Sequence, residues 1–98
     1  MSDLPDPTSD RGAWLHECRR RMRRALVNYA ELEERITARE EYHDRTWGRG
    51  IGATQAAQDL ELRVLVGARD SARQRARTYA AVIAAELALD HYLGEETR

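Results

Sequence analysis

The chain is poor in the residue types that mark most disulfide-bonded or membrane-spanning proteins. It has no phenylalanine among 6% aromatic residues. Its single cysteine, Cys18, excludes an intramolecular disulfide framework and fits a reducing compartment. No apolar run approaches the length of a membrane span. The first ten residues lack the basic start and apolar core of a signal peptide. We therefore expect a cytoplasmic protein that has no membrane partner.

Lysine is absent as well. All 16 basic residues are arginine, and 17 acidic residues bring the formal net charge to −1. An arginine-only composition is typical of a GC-rich bacterial or phage genome. The abundance of alanine, leucine, arginine and glutamate favours long helices over strands. With 98 residues, the chain makes one small domain at most, with a limited core of its own. The composition therefore predicts an all-α fold.

A heptad pattern predicts the first helix, over about residues 10–45. Apolar residues recur at alternating steps of three and four, the spacing of a coiled-coil seam. This seam consists of Leu15, Cys18, Met22, Ala25, Tyr29, Leu32 and Ile36. The preceding residues 1–9 are acidic and contain both prolines, which predicts an extended or disordered leader.

Three alternating glycines predict the connection between two helices. Gly48, Gly50 and Gly52 fall within residues 46–53, and three glycines so close together are costly inside a helix. We therefore expect a glycine turn at 46–53, followed by a second helix over about 54–93.

The second helix carries its own apolar stripe. Thr54 is its expected N-cap and Gly94 its expected stop, which leaves residues 95–98 as a tail. The spacing of the stripe resembles an eleven-residue repeat more than a heptad. The stripe consists of Leu65, Ala68, Ala72, Ala76, Tyr79, Ile83 and Leu87.

The charges predict that the two helices run antiparallel as one hairpin domain, residues 10–94. The first helix is basic early and acidic late, and the second is basic in its first half and acidic at its end. Antiparallel pairing places opposite charges side by side. Two helices alone leave part of these apolar surfaces uncovered, so we expect oligomerisation to complete a helical bundle. The seam and stripe residues, Ala25 excepted, are the expected interface.

No motif identifies a reaction, a catalytic residue or a resident cofactor. The leading hypothesis is a small non-enzymatic assembly or adaptor module. Its expected partners are a second copy, in a homodimer or higher oligomer, or a larger protein.

A cluster of arginines supports a nucleic-acid alternative. Such a band can bind phosphates or an acidic partner. An isoelectric point of about 6.3 favours pairing with Glu and Asp of the neighbouring helix or subunit instead, because dedicated nucleic-acid binders are usually basic. The candidate contacts are Arg19, Arg20, Arg21, Arg23, Arg24, Arg73 and Arg77.

A second alternative is a metal site for iron or zinc. Glu40 and His43 form Glu-x-x-His, and the hairpin register places Glu61 at a similar level. A dimer would double these ligands, as in di-iron carboxylate bundles. The pattern resembles the encapsulated ferritins, two-helix chains that build an iron site between subunits. In that family the motif lies on the second helix, whereas here it lies on the first.

Overall fold

The computed structural model describes residues 10–96, with the side chains of 10–94. This part of the chain forms three α-helices and no strand: α1 (Arg11–Trp47), α2 (Arg49–Gln58) and α3 (Leu60–Glu96). The all-α prediction is confirmed. The predicted leader 1–9 lies outside the described residues.

The chain breaks within the predicted turn 46–53, but the break is much shorter than predicted and the count of two helices is wrong. The break after α1 is confined to Gly48, whose φ of 81° is a conformation that favours glycine. The chain then resumes as α2, which contains both Gly50 and Gly52. The Gly52 amide donates to the Gly48 carbonyl at 2.7 Å, so this helix begins directly at the break.

A close contact explains why Gly52 is tolerated inside a helix. A Cβ at position 52 would lie 2.9 Å from the His43 carbonyl oxygen and 3.0 Å from the Cα of Asp44. The absence of a side chain therefore lets α2 pack against the backbone of α1. Local propensity predicts a turn here because this packing advantage is not visible in the glycine spacing.

The limits of α3 also differ from the prediction. Thr54 lies inside α2 and caps nothing; the N-cap of α3 is Asp59, whose Oδ1 accepts from the amides of Glu61 (3.0 Å) and Leu62 (3.3 Å). At the other end, α3 passes through Gly94 to Glu96, so the predicted stop at Gly94 is wrong. Of the predicted tail, 97–98 lie outside the described residues.

Contacts divide the chain into two compact units. The second unit spans Leu26–Arg73, and the first contains α1 up to Ala25 and α3 from Gln74 onward. We describe each unit by itself.

The second unit has an apolar core between α1 and α3. Two polar contacts accompany it: Arg69 to Glu33 at 3.0 Å, and Arg39 to Glu61 at 3.7 Å. Residue 33 of α1 contacts residue 69 of α3, and residue 39 contacts residue 61. Because the α3 number falls as the α1 number rises, the two segments run antiparallel. The buried core residues are Leu32, Ile36, Leu62, Leu65 and Ala72.

The first unit pairs its two helical segments in the same way. Arg11 contacts Glu86 at 2.6 Å and Asp90 at 2.7 Å, whereas Arg21 donates to the Tyr79 hydroxyl at 3.4 Å. The segments are therefore antiparallel here too. The buried apolar residues of this unit are Cys18, Ala25, Ala76 and Ile83.

The inward stripe of α3 follows a heptad, so the predicted eleven-residue repeat is wrong. Ala68 and Leu87, which the longer repeat requires, are exposed. Arg69 and Glu86 occupy heptad positions as half-buried polar residues, and an apolar pattern search overlooks them. The covered residues, at alternating steps of three and four, are Leu62, Leu65, Arg69, Ala72, Ala76, Tyr79, Ile83 and Glu86.

Candidate functional site

The predicted interface residues are mostly covered by the chain itself. Every seam residue of α1 is buried or half-buried, and so is every stripe residue of α3 except Ala68 and Leu87. The Cys18 side chain is 1% exposed, and burial raises the pKa of its thiol. A partner that used these residues would have to open the chain first. A binding surface must therefore be sought on the outer faces.

Residues 80–93 of α3, which precede its acidic last residues Glu95 and Glu96, carry little charge. Over residues 80–93, which we call the apolar segment, Glu86 and Asp90 are the only members of the Asp, Glu, Lys and Arg set. Arg11 forms an ion pair with each of them, with Nη2 at 2.6 Å from Glu86 Oε2 and Nη1 at 2.7 Å from Asp90 Oδ1, and balances one of the two negative charges. The rest of the segment consists of alanine and larger apolar residues together with His91.

Four large side chains of the apolar segment are exposed. The exposed fractions are 48% for Leu87, 46% for Leu89, 57% for Tyr92 and 44% for Leu93. A surface helix normally presents a charged face to water, and a helix that is apolar all round is usually enclosed by other elements. The apolar segment is therefore the candidate binding surface.

Sequence reasoning found only one of these four residues. Leu87 belongs to the predicted stripe, whereas Leu89, Tyr92 and Leu93 were missed because they do not share a heptad face with it. The signal that could have found them is the scarcity of charged residues over 80–93, not periodicity.

The predicted arginine band is divided between paired and unpaired side chains. Glu17 accepts hydrogen bonds from Arg20 at 2.8 Å and from Arg21 at 3.0 Å. These bonds, Arg20 first, lower the pKa of Glu17 to about 2. Within the described part of the chain, no ion pair is formed by the remaining candidates Arg19, Arg23, Arg24, Arg73 and Arg77. Two members of the band therefore pair with a carboxylate, but it lies on their own helix and not on the neighbouring helix as expected.

Asp59 joins the second and third helices to the first. Its Oδ1 caps α3, and its Oδ2 accepts from Arg39 Nε at 2.6 Å and lies 2.7 Å from His43 Nε2. Hydrogen bonds from His43 and then Arg39 hold the pKa of the Asp59 carboxyl well below its usual range. The His43 and Asp59 side chains are almost fully buried. The arrangement fixes where α2 ends and α3 begins.

The contact with Asp59 involves His43, the histidine of the predicted metal site. His43 Nε2 faces Asp59, while Glu40 and Glu61 are both exposed. Among residues 10–94, no group of three or more His, Cys, Asp or Glu side chains could hold a metal ion. Glu40, His43 and Glu61 are therefore not brought together as a ligand set.

Comparison with known proteins finds no matching family model, no similar curated sequence and no similar solved structure. Of the described helices, none is both long and apolar enough to cross a membrane.

Proposed function

We propose that this protein is a non-enzymatic assembly module, a helical hairpin whose contact surface is the apolar segment at the end of α3. The carrying observation is that this segment exposes four large apolar side chains while its only two carboxylates are both ion-paired with Arg11. The heptad seam holds the hairpin together, and the apolar segment is left for a partner. Association through it would complete a helical bundle.

The energetics favour burial of this surface. Each of the half-exposed leucines Leu87, Leu89 and Leu93 gains about 1 kcal/mol when the rest of its side chain leaves water. Association costs at least about 4 kcal/mol in lost rotational and translational freedom. The four large side chains of one chain together therefore gain about as much as the lower end of this cost, and no single one does.

The test compares two substitutions of the same chemistry. Leu89→Glu places a charge inside the apolar segment, whereas Val27→Glu places one at a similarly exposed position of α1 outside it. Native mass spectrometry of the chain purified at its natural expression level shows whether it is free or in a complex. We expect a complex with the wild-type chain and the Val27→Glu variant, and its loss with Leu89→Glu.

A complex that survives Leu89→Glu would show that the apolar segment is not the contact surface. A wild-type chain that is only a free monomer would refute the assembly function. Circular dichroism of all three proteins serves as the control for folding, since both positions are exposed and should leave the helical content unchanged.

Unpaired arginines support a second candidate function, nucleic-acid binding. Arg19, Arg23 and Arg24 lie on one stretch of α1 without a carboxylate partner in the described residues, so their charges are available to phosphates. Over the whole first unit, residues 1–25 and 74–98, nine arginines against eight acidic residues give a net charge of +1. The candidate is therefore supported by the unpaired arginines of α1 and not by an overall basic charge.

Fluorescence anisotropy with labelled single- and double-stranded oligonucleotides at low salt tests this candidate. Arg23→Glu should weaken binding and reduce the slope of log K against log salt by about one for each phosphate that the variant no longer neutralises. Arg35→Glu, the same charge change at an exposed position later in α1, should have a smaller effect. An absence of binding by the wild-type chain at low salt would remove this candidate.

A further inference from the structure

The outer face of α1 carries charges of opposite sign in its two halves. It consists of the heptad positions that point away from α3, which recur at alternating steps of three and four from Ala13 to Asp44, and every one of them is exposed. The first half of this face is basic and the second half is acidic. Its titratable members are His16, Arg20, Arg23, Glu34, Glu41 and Asp44.

The charges nearest the middle of this face have no partner within their own chain. Arg23 and Arg24 on the basic side form no ion pair among the residues that the structure describes, and neither do Glu31 and Glu34 on the acidic side. Arg23 and Glu34 lie about 16 Å apart along α1, so they cannot pair with each other. Unpaired charges of both signs therefore remain on one face.

We propose that a second copy of this chain covers this face, with the two α1 helices antiparallel about a two-fold axis between Val27 and Ala30. Arg23 then faces Glu34 of the other copy, and Val27 faces Ala30. A two-fold contact uses the same surface on both chains, so each of these pairs forms twice. The contact does not use the apolar segment of α3, so it goes beyond the proposed function and does not depend on it.

Charge complementarity identifies both the occupant and its orientation. The antiparallel contact sets Arg23 against Glu34 and places Arg24 beside Glu31 of the other copy, so the four unpaired charges are satisfied together. The parallel contact would set Arg23 against Arg23 and Glu34 against Glu34, and like charges in contact are destabilising. The face is therefore complementary to a reversed copy of itself.

A groove over the acidic half has room for the arginines. It is open to solvent and has a volume of about 310 Å³. Its lining consists of Glu33, Glu34, Thr37, Ala38 and Glu41. Because the threonine and the alanine are small, they leave space between the carboxylates. In the antiparallel contact, the two arginines that reach this groove from the other copy are at positions 20 and 23.

The middle of the face is apolar, and its length suffices for a specific contact. Val27 is 59% exposed and the neighbouring Leu26 is 49% exposed. From Ala13 to Asp44 the face spans about 47 Å, and a helix with its side chains is about 12 Å wide. A contact of this size buries about 1,100 Å² over the two chains, which reaches the roughly 1,000 Å² of a specific interface. We therefore expect a reversible dimer that salt weakens.

Charge reversal tests the contact. Arg23→Glu and Glu34→Arg are made in separate chains, purified free of nucleic acid, and studied by sedimentation equilibrium at low salt. Each variant replaces two opposite-charge pairs by two like-charge pairs, which should raise the dissociation constant at least about 10-fold. An equimolar mixture of the two variants should recover the wild-type dissociation constant, because both contacts of the mixed dimer again join opposite charges.

Controls separate this dimer from the other surfaces. Arg35→Glu makes the same charge change at an exposed position off this face and should leave the dissociation constant unchanged. Leu89→Glu should also leave it unchanged. Val27→Glu, in the middle of the face, should weaken the dimer, while a complex formed through the apolar segment persists. Circular dichroism confirms that every variant is folded.

Three outcomes would overturn the inference. One is a wild-type chain that stays monomeric at low salt, and another is a dimer that survives both single reversals. The third is a mixture that stays monomeric when each variant alone is monomeric, since the two reversals then do not compensate. A dimer that is lost with Leu89→Glu and kept with Arg23→Glu would support the apolar segment and refute the contact through α1.

Discussion

Replacing Gly52 by alanine tests the packing of α2 against α1. The added Cβ would lie 2.9 Å from the His43 carbonyl oxygen, 2.9 Å from the Asp44 carboxylate and 3.0 Å from the Asp44 Cα. Two of these neighbours are backbone atoms, so a side-chain rotation alone cannot relieve the contact. The helix must move by a few tenths of an ångström, and overpacking of this kind typically costs about 1–3 kcal/mol.

A matched substitution isolates this cost. Gly67 lies in the interior of α3 with no atom within 4 Å of an added Cβ, so Gly67→Ala should gain the full helix propensity of alanine, about 1 kcal/mol. Gly52→Ala gains at most the same stability from helix propensity, and the overpacking cost is subtracted from that gain. We therefore expect the unfolding free energies of the two variants to differ by about 1–3 kcal/mol, with Gly67→Ala the more stable.

Urea unfolding followed by circular dichroism, at one low chain concentration, measures this difference. Amide hydrogen exchange locates it: Gly52→Ala should raise exchange over Arg49–Gln58, and Gly67→Ala should not. Equal stabilisation of the protein by both alanines would refute the close approach of α2 to α1.

Three further outcomes test the core, the junction and the buried thiol. Ile36 is buried, so Ile36→Ala should lower the unfolding free energy by about 2–5 kcal/mol in urea titrations. The Leu60 side chain is 70% exposed, so Leu60→Ala should lower it by far less. Because the pKa of Asp59 is lowered in the folded chain, its charge stabilises the fold fully above its ordinary pKa, and this contribution is lost progressively as the pH falls from the ordinary pKa towards the lowered one. Asp59→Asn, which keeps a capping side chain, should therefore lose less stability than wild type between pH 7 and pH 3. Cys18 should react with a thiol reagent only as fast as the chain opens, measured by absorbance.

The apolar seam of α1 could be predicted because the spacing of its residues is a local property of the sequence. Apolar residues at steps of three and four define one helical face whatever covers it, and every one of them from Leu15 to Ile36 is buried or half-buried. The continuation of that face through Arg39 and His43 was visible as spacing. The reason for two polar residues there was not visible, because it is supplied by Asp59, sixteen or more positions later in the chain.

The sequence by itself therefore determined the helical class and the inward face of α1. Tertiary structure decided where the helices break and which surfaces remain open. Gly52 is helical because α2 packs on the backbone of α1, and Asp59 marks the start of α3 because it satisfies two helical amides as well as Arg39 and His43. Likewise, only the tertiary structure shows that Glu86 and Asp90, the two carboxylates of the apolar segment, are both paired with Arg11. Such contacts join residues far apart in the chain, and neither propensity nor periodicity contains them.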